Sequence, residues 1–211
     1  MGGTPFMLVI IDCGMGNLQS VVRAFERIGA TPHVSALADD VAAAERIVLP
    51  GVGSLAHGMD TLRRHGLLPV LAHKVCAQRT PVLGICVGHQ MLATRSEEGD
   101  APGLGWIEGA VTRFHFDGAR PLKVPHLGWN TLRTRPGCPL FDGIPEDACF
   151  YFAHSYKLES AAPESIAATT AYGVDFVSAV HRDNIFGTQF HPEKSQRLGL
   201  ALIANFLKWA P

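Results

Sequence analysis

Several features that would assign the chain to a special class of protein are missing from the sequence. Its five cysteines are an odd number, and no two of them have C-x-x-C spacing, which argues against a secreted disulfide framework and a thiolate zinc site. We therefore expect a reducing, cytoplasmic environment. The apolar run over residues 6–11 ends at Asp12, lacks a preceding basic segment and is far shorter than the ~20 residues of a membrane span. The sequence thus predicts neither a signal peptide nor a membrane-spanning protein.

A strong charge of either sign is also absent. The formal net charge is -1 at pH 7, so no overall field would attract nucleic acid or an anionic membrane. No repeat, linker or low-complexity segment divides the 211 residues. We expect one domain over residues 7–211, and an extension from cloning or an upstream start site over residues 1–6. A domain of this length buries roughly 70% of its unfolded surface, which is enough for a core without metal or disulfide staples. We expect no metal site and no cofactor.

The order of the apolar runs predicts alternating strands and helices. Residues 7–11 form an apolar run before a glycine turn, and apolar residues at helical spacing follow Asn17, a candidate helix N-cap. Residues 46–49 and 81–85 are further buried strands, with helical stretches between them. This alternation predicts a three-layer α/β/α fold with a mostly parallel central sheet. Beyond Trp106 the strand-forming segments are short and separated by turns, which predicts β-hairpins added to the edge of the sheet.

A cysteine stands at the junction of a predicted strand and a predicted helix. The segment Gly84-Ile85-Cys86-Val87-Gly88 has the spacing of a nucleophile elbow, in which the flanking glycines allow close passage of the backbone. A cysteine at a helix N-terminus lies at the positive end of the helix dipole, which favours the reactive thiolate. Taken alone, a free cysteine is equally well explained as a buried apolar residue. The elbow context favours Cys86 as a nucleophile.

His191 and Glu193 supply the rest of a candidate triad. If the predicted strand over residues 185–190 continues, positions i and i+2 put both side chains on one face. His191 would take the proton of Cys86 and return it to a leaving group, while Glu193 would fix the tautomer of the ring. A lone His-Pro-Glu segment is a weak signal. The combination of this segment with the nucleophile elbow makes the triad a specific prediction.

A glycine-rich loop offers a candidate oxyanion hole. Pro50-Gly51-Val52-Gly53 follows a strand of the same predicted sheet. Free N–H groups in this loop, together with the N–H of Val87, would stabilise a tetrahedral oxyanion. A plain turn between a strand and a helix explains the loop equally well.

Three segments together resemble the class I, triad-type glutamine amidotransferases: Pro50-Gly51-Val52-Gly53, Gly-Ile-Cys-Val-Gly-His-Gln at 84–90 and Gln-Phe-His-Pro-Glu-Lys-Ser at 189–195. The resemblance covers the chain from Met7 onward. Within that family, further motifs resemble the glutaminase subunits of imidazole glycerol phosphate synthases, at residues 12–17, 95–99, 103–106, 125–130 and 151–156. His89 departs from this subfamily, in which methionine is expected. Histidine there is more usual in the carbamoyl phosphate, anthranilate and aminodeoxychorismate amidotransferases.

The resemblance implies a reaction, a partner and a set of site residues. L-glutamine would form a γ-glutamyl thioester with Cys86, release ammonia and be hydrolysed to glutamate. The ammonia would pass to a TIM-barrel cyclase subunit in a heterodimer, which makes imidazole glycerol phosphate and an aminoimidazole carboxamide ribonucleotide in histidine biosynthesis. By motif position, the residues that would bind glutamine are Gly53, Gln90, Glu98, Ser155 and Tyr156. The oxyanion donors would be Val52 and Val87. The residues that would face the cyclase are Asn17, Trp129 and Lys194.

Other functions fit the same residues. The glutaminase subunit of another amidotransferase would keep the same triad, and a γ-glutamyl peptidase or other cysteine hydrolase would use it without a partner. A non-catalytic binding subunit with the same fold is a third class, which an intact nucleophile, base and orienting carboxylate argue against. Three of the residues given a role by motif position also have a purely structural explanation. Gln90 could lie on a helix surface, Glu98 in a solvated turn and Trp129 in the core.

Overall fold

Strands and helices alternate along the first half of the chain, as the sequence predicts. The computed structural model describes residues 6–14, 17–116, 122–159 and 162–210. The strands in these residues are β1 (Leu8–Ile11), β2 (Pro32–Ser35), β3 (Arg46–Gly51), β4 (Val82–Cys86), β5 (Arg95–Ser96), β6 (Ala101–Pro102), β7 (Ala110–Arg113), β8 (His126–Thr131), β9 (Arg133–Thr134), β10 (Cys149–His154), β11 (Tyr156–Glu159), β12 (Ile166–Tyr172), β13 (Val174–Arg182) and β14 (Ile185–Thr188). The helices are α1 (Leu18–Glu26), α2 (Ala38–Ala43), α3 (Leu55–Arg64), α4 (Leu67–Ala72), α5 (Val87–Met91) and α6 (Gln196–Lys208).

A sheet with a parallel centre runs through the molecule. In the part of the chain described, twelve strands join it, and the main path across it is β2-β1-β3-β4-β14-β13-β11-β7-β5-β6. The first five strands on this path are parallel to one another. Strands covered on both faces consist of continuous apolar runs, and every residue of β4 is buried. The predicted α/β fold with a mostly parallel sheet is confirmed.

The second half of the chain adds antiparallel strands, but not only at the sheet edge. β13 and β11 extend the parallel sheet, and β12 pairs with β13. One of the short strand-forming segments beyond Trp106, over residues 150–157, is interrupted at Ser155, which separates β10 from β11. β10 leaves the large sheet and pairs with β8 in a separate antiparallel ribbon. The prediction of edge hairpins is therefore wrong for β10, and the sequence predicts no strand at its partner β8.

The helices pack on the sheet through one apolar side each. In α1 the buried residues Val21, Ala24 and Phe25 recur at helical spacing. In α6, Leu202 and Phe206 are buried one turn apart. All five residues belong to one hydrophobic core with the central strands. Among the described residues, the helices are all too short or too polar to cross a membrane.

Phe6, the first residue that the structure describes, is in contact with the sheet. Residues 1–5 of the expected extension lie outside the described residues, as do Met15 and Gly16 of the glycine turn. Phe6 is described, and the centre of its ring lies 4.8 Å from the guanidinium carbon of Arg46 in β3. Phe6 also packs against the hydrophobic core. This residue of the expected extension therefore contacts the domain.

His89 in α5 is buried without hydrogen bonds. Its side chain is fully buried, and neither ring nitrogen has a partner among the described residues. The ring lies against β14 at Gly187, where an added Cβ would lie 2.5 Å from the Nδ1 atom of His89. Burial lowers the pKa of His89 to about 3, so the ring is neutral at physiological pH. His89 therefore fills space in the core, as the methionine expected at this position would.

His89→Met is expected to stabilise the protein more at pH 5 than at pH 7.5. The pKa of His89 is about 3 in the folded chain and about 6.5 when unfolded. Below pH 6.5 the unfolded chain therefore binds more protons, and stability falls as the pH falls towards the folded pKa. Removing this group should change the difference between the two pH values by about 2 kcal/mol. Urea unfolding at both pH values measures this difference.

The matched control is His57→Met, because His57 in α3 is exposed. We expect this variant to differ from the parent protein by a similar free energy at pH 5 and pH 7.5. If His89→Met also shows equal effects at the two pH values, His89 does not hold a lowered pKa in the folded protein.

Candidate active site

Three strands of the parallel sheet end side by side. Gly51, the last residue of β3, pairs with Cys86, the last residue of β4. On the other side of β4, Ile85 pairs with Thr188, the last residue of β14. The segments that follow these strands therefore start at one edge of the sheet. The carboxyl ends of parallel strands are where open α/β sheets bind their ligands.

The backbone at Cys86 has the strained geometry expected of a nucleophile elbow. Its φ is 55° and its ψ is -107°, and such a conformation costs about 1–3 kcal/mol for a residue with a side chain. An added Cβ on Gly88 would lie 1.7 Å from the carbonyl oxygen of Leu49, and one on Gly84 would lie 2.6 Å from that of Gly88. Both flanking positions therefore require glycine. Because α5 has only five residues, its dipole is small, and the elbow rather than the helix places Cys86.

His191 and Glu193 are paired, but not on a strand. β14 ends at Thr188, so the continued strand on which the expectation relied is absent from this described segment. A 3-10 turn over Pro192–Lys194 instead brings the carboxylate back to the ring. The distance from His191 Nδ1 to Glu193 Oε1 is 2.8 Å, and both side chains are buried. Because an ionised carboxylate only accepts hydrogen bonds, Nδ1 carries the proton, which leaves Nε2 for the hydrogen bond with Cys86.

Opposing effects act on the protonation of His191. Burial lowers its pKa, but hydrogen bonds to Cys86 and Glu193, together with the charges of both groups, outweigh burial and raise the pKa to about 9. His191 is therefore protonated at neutral pH while it faces Cys86. This arrangement can store the proton of a cysteine nucleophile until a leaving group needs it.

Asn17 precedes α1 but does not cap it with its side chain. Its φ of 72° is left-handed, unlike the extended conformation of a helix N-cap, and its side chain makes no hydrogen bond to the helix. Asn17 therefore occupies the predicted N-cap position, but its side chain does not make the capping hydrogen bond. The amide of Asn17 instead donates to Glu193 Oε1 over 2.7 Å. Glu193 Oε1 thus accepts from both Asn17 and His191, whereas Oε2 is buried with no partner in the described residues.

A cavity brings most of the predicted site residues together. Its volume is about 370 Å³, within the roughly 300–1,000 Å³ of small-molecule sites. Cys86 and His191 line it. So do both predicted oxyanion donors and every residue predicted to bind glutamine, namely Val52, Val87, Gly53, Gln90, Glu98, Ser155 and Tyr156. Glu193 and Asn17 lie outside this lining, on the far side of His191, where they line a much smaller pocket with it.

Two of these lining residues already hold hydrogen bonds. Glu98 Oε2 accepts from the N–H of Leu55 at the start of α3, over 3.1 Å. Gln90 is buried and donates from Nε2 to the carbonyl oxygen of Tyr156 over 3.0 Å and to Gln189 Oε1 over 2.9 Å. The alternative of Gln90 on a solvated helix surface is therefore wrong.

Gln189 is a site residue to which the sequence assigns no role. It is fully buried, and its side-chain nitrogen lies 3.8 Å from Cys86 Sγ. Its place two residues before His191, at the end of a predicted strand, was the signal available. Among the described residues, no three His, Cys, Asp or Glu side chains are grouped so that they could hold a metal ion.

Trp129 and Lys194, predicted to face a partner, lie at the surface around Tyr151. Trp129 on β8 is 49% exposed, so it is not a core residue, and its ring packs edge-on against Tyr151 on β10 with centroids 5.9 Å apart. Lys194 is exposed, lines the cavity, and places Nζ 5.8 Å from the centre of the Tyr151 ring. Leu127 is 65% exposed and also lines the cavity. Leu127 and Lys194 therefore stand at the cavity, and Trp129 lies beside them across the ring of Tyr151.

Replacing Cys86 with alanine is expected to lower the pKa of His191. Without the hydrogen bond and charge of Cys86, burial opposes Glu193 alone, so the pKa should fall below its present value of about 9. The titration of the ring can be followed by NMR on histidine-labelled protein. Cys138→Ala, which removes another buried cysteine, should leave it unchanged. If His191 titrates identically in Cys86→Ala, the two side chains are not coupled.

The sequence matches an established family over most of its length. The family described as "Glutamine amidotransferase class-I" matches residues 9–209. A protein of Pseudomonas aeruginosa named "Imidazole glycerol phosphate synthase subunit HisH 2" is 46% identical over 202 residues, which cover 96% of this chain and 99% of that protein. The subunit HisH of Aromatoleum aromaticum is 48% identical over 212 residues, with 97% and 99% covered.

Solved structures with low sequence identity share the fold. A structure described as "Crystal structure of glutamine amidotransferase" has a TM-score of 0.75 at 18% identity and covers 95% of this chain and 97% of its own. The PurLQS structure from Thermotoga maritima has a TM-score of 0.73 at 17% identity, with 97% and 98% covered. At this identity only the fold is shown to be shared, whereas the match to the HisH subunits extends to the sequence itself. The chain therefore belongs to the class-I glutamine amidotransferases and, within them, to the family of imidazole glycerol phosphate synthase HisH subunits.

Proposed function

We propose that the chain hydrolyses L-glutamine to glutamate and ammonia, with Cys86 as nucleophile, His191 as acid and base, and Glu193 as the carboxylate that orients His191. The observation that carries the proposal is the meeting of Cys86 and His191 in a cavity whose other walls include the motif residues of glutamine amidotransferases. A cysteine and histidine pair alone would fit many hydrolases. Membership of the family selects glutamine among their substrates.

The first half of the reaction forms a thioester. Cys86 Sγ attacks the γ-carbonyl carbon of glutamine while the proton of the thiol resides on His191, whose raised pKa favours this ion pair. Val52 and Val87 stand in the wall of the cavity, where their N–H groups would stabilise the tetrahedral oxyanion. The carbon–nitrogen bond then breaks, and His191 gives its proton to the nitrogen, which leaves as ammonia.

The second half of the reaction releases glutamate. Acylation removes the charge of Cys86, so the pKa of His191 falls and the ring can act as a base. His191 takes a proton from water, whose oxygen attacks the thioester carbonyl, and the thiolate of Cys86 leaves. Glu193 keeps Nδ1 protonated throughout and so presents Nε2 to the reacting atoms.

The ammonia is consumed by a cyclase subunit with a TIM-barrel fold, which forms a heterodimer with this chain and makes imidazole glycerol phosphate for histidine biosynthesis. The names of the relatives, which are synthase subunits, support a partner. Exposed Leu127 and Trp129 support its position at the cavity mouth. Residues 7–211 act as one domain, which the family match over 9–209 supports. The five free cysteines support a reducing cytoplasm.

Cys86→Ser is expected to abolish glutamine-dependent synthesis by the complex and to leave ammonia-dependent synthesis intact. The acceptor chemistry takes place on the partner chain, so ammonia added to the solution bypasses Cys86. The loss should exceed 1,000-fold, since a triad nucleophile contributes on the order of 10⁶ in kcat. Both activities are measured as product formed by the purified complex. Glutamine-dependent synthesis that survives the substitution would refute the proposed nucleophile, and loss of both activities would refute the division between two chains.

Trp129→Ala and Lys194→Ala are expected to weaken binding of the cyclase subunit by roughly 10-fold or more without destabilising the isolated chain. Both side chains are exposed around Tyr151. Binding is measured by titration calorimetry, and stability by the Tm of the isolated chain. Leu37→Ala is the control, because Leu37 is 66% exposed and precedes α2, away from the cavity lining. A Leu37 effect as large as the Trp129 effect would contradict an interface around Tyr151.

A further inference from the structure

Gln189 lies behind the cavity wall, against Cys86 and Gln90, and it is fully buried just beyond the end of β14. Its backbone N–H donates to the carbonyl oxygen of Ser178 in β13 over 2.9 Å, which fixes the position of the main chain. Its side chain reaches two groups, since Oε1 accepts from Gln90 Nε2 over 2.9 Å and Nε2 lies 3.8 Å from Cys86 Sγ. The side chain of Gln189 thus links a residue of the cavity wall to the reacting sulfur.

The hydrogen bonds of Gln90 determine which end of the Gln189 amide faces the sulfur. A backbone carbonyl only accepts, so the atom of Gln90 that faces the carbonyl oxygen of Tyr156 must be Nε2. The same Nε2 atom then donates its second proton to Gln189, which must present Oε1. The Nε2 group of Gln189 is therefore left to point at Cys86. In this arrangement Gln189 is a hydrogen-bond donor to the sulfur.

Two neutral histidines hold the carbonyl group of Tyr156 in place. His154 Nδ1 donates to the oxygen of Tyr156 over 2.7 Å, so its Nε2 accepts from His126 Nδ1 over 3.1 Å. Asn130 in turn donates to His126 Nε2 over 3.3 Å. Burial lowers the pKa of His154 to about 3 and that of His126 to about 4, so both rings stay neutral. Every donor in this series of hydrogen bonds therefore has a fixed direction.

We propose that Gln189 is a positioning residue of the reaction, which donates a hydrogen bond to the thiolate of Cys86 and turns the carbonyl oxygen of Gln90 towards the substrate. The first role favours the charged, reactive form of the sulfur and restricts its direction. The second follows because both amide protons of Gln90 are used by Tyr156 and Gln189. The oxygen of Gln90 is then the atom left to accept from an N–H donor in the cavity, such as the α-ammonium group of an amino-acid substrate. The inference rests on the proposed glutaminase activity.

Two substitutions separate the two roles. Gln189→Glu keeps an acceptor for Gln90 but has no N–H donor for Cys86, so kcat for glutamine hydrolysis should fall roughly 10- to 100-fold with KM nearly unchanged. Gln189→Met removes both hydrogen bonds at similar size, so kcat should fall and KM should rise as Gln90 loses its fixed orientation. Both variants are assayed in the complex with the cyclase subunit. Co-elution of each variant with the cyclase subunit in gel filtration, and the Tm of each variant, report whether the chain is folded and assembled.

A pH profile distinguishes a role at the sulfur from a general disturbance of packing. Carbamidomethylation of Cys86 by iodoacetamide is followed by peptide mass spectrometry across pH, because the thiolate is the form that reacts. In Gln189→Met the profile should move up by about one pH unit or more, since the charged sulfur has lost a donor. In Gln189→Glu the profile should move up further, since a carboxylate beside the sulfur also opposes its charge. Ser178→Ala is the control. Its hydroxyl is buried without a hydrogen-bond partner in the described residues, beside the backbone bond to Gln189.

The outcomes separate this inference from the proposed function. A parent complex that does not hydrolyse glutamine overturns the proposed function. A parent complex that does, together with variants whose kcat and pH profile are unchanged, overturns only the role of Gln189. Equal changes in Ser178→Ala would also overturn it, because they would show that packing alone matters. If Gln189→Met does not fold, Gln189→Leu decides the question, since it also removes the donor without adding a charge beside Cys86.

Discussion

The close approach of β3 to the turn after β4 is the contact on which the site depends. A side chain at Gly88 would strike the carbonyl oxygen of Leu49, because an added Cβ would lie only 1.7 Å away. Any larger residue at position 88 would push β3 away from the elbow. The same contact sets both halves of the acyl-transfer site, because Val52 follows β3 and Cys86 ends β4, where Gly51 pairs with it. The strained conformation of Cys86 persists because two strands and the tight turn hold it from both sides.

Burial lowers the pKa of all four histidines in and behind the cavity wall, and the groups around each ring decide whether its final pKa is low or high. It lowers the pKa of His89, His126 and His154, which meet neutral groups or no hydrogen-bonding group at all. At His191 the hydrogen bonds and charges of Cys86 and Glu193 outweigh burial, and the pKa rises. Among these four histidines, the positive charge is therefore confined to His191, and the other rings stay neutral. A neutral surrounding lets the other rings hold fixed tautomers without competing for the proton that His191 must carry.

Local patterns in the sequence predict most of the strands and helices, but not the contacts between them. The apolar run before Cys86 and the glycines beside it predicted the elbow, because strand burial and close backbone approach depend on neighbouring residues. Asn17 was assigned by a local capping rule, yet its side chain bonds to Glu193, 176 residues away. The side chains of Gln90 and Gln189 also share a hydrogen bond, although they are 99 residues apart in the sequence. Such pairs depend on strand order and register, which hydrophobic periodicity does not determine. The family resemblance found Gln90 but assigned nothing to Gln189.

The ribbon of β8 and β10 connects the exposed surface beside the cavity with His191, the proposed catalytic base. Trp129 on β8 packs against Tyr151 on β10. The carbonyl oxygen of Tyr151 accepts from the N–H of His191 over 2.8 Å, and the N–H of Tyr151 donates to the hydroxyl of Ser195 over 3.0 Å. The segment that carries His191 is therefore held by the same residue that supports Trp129. Because the ring of His191 must keep both Cys86 and Glu193 within hydrogen-bonding distance, a small shift of the ribbon is enough to change how well the triad is aligned.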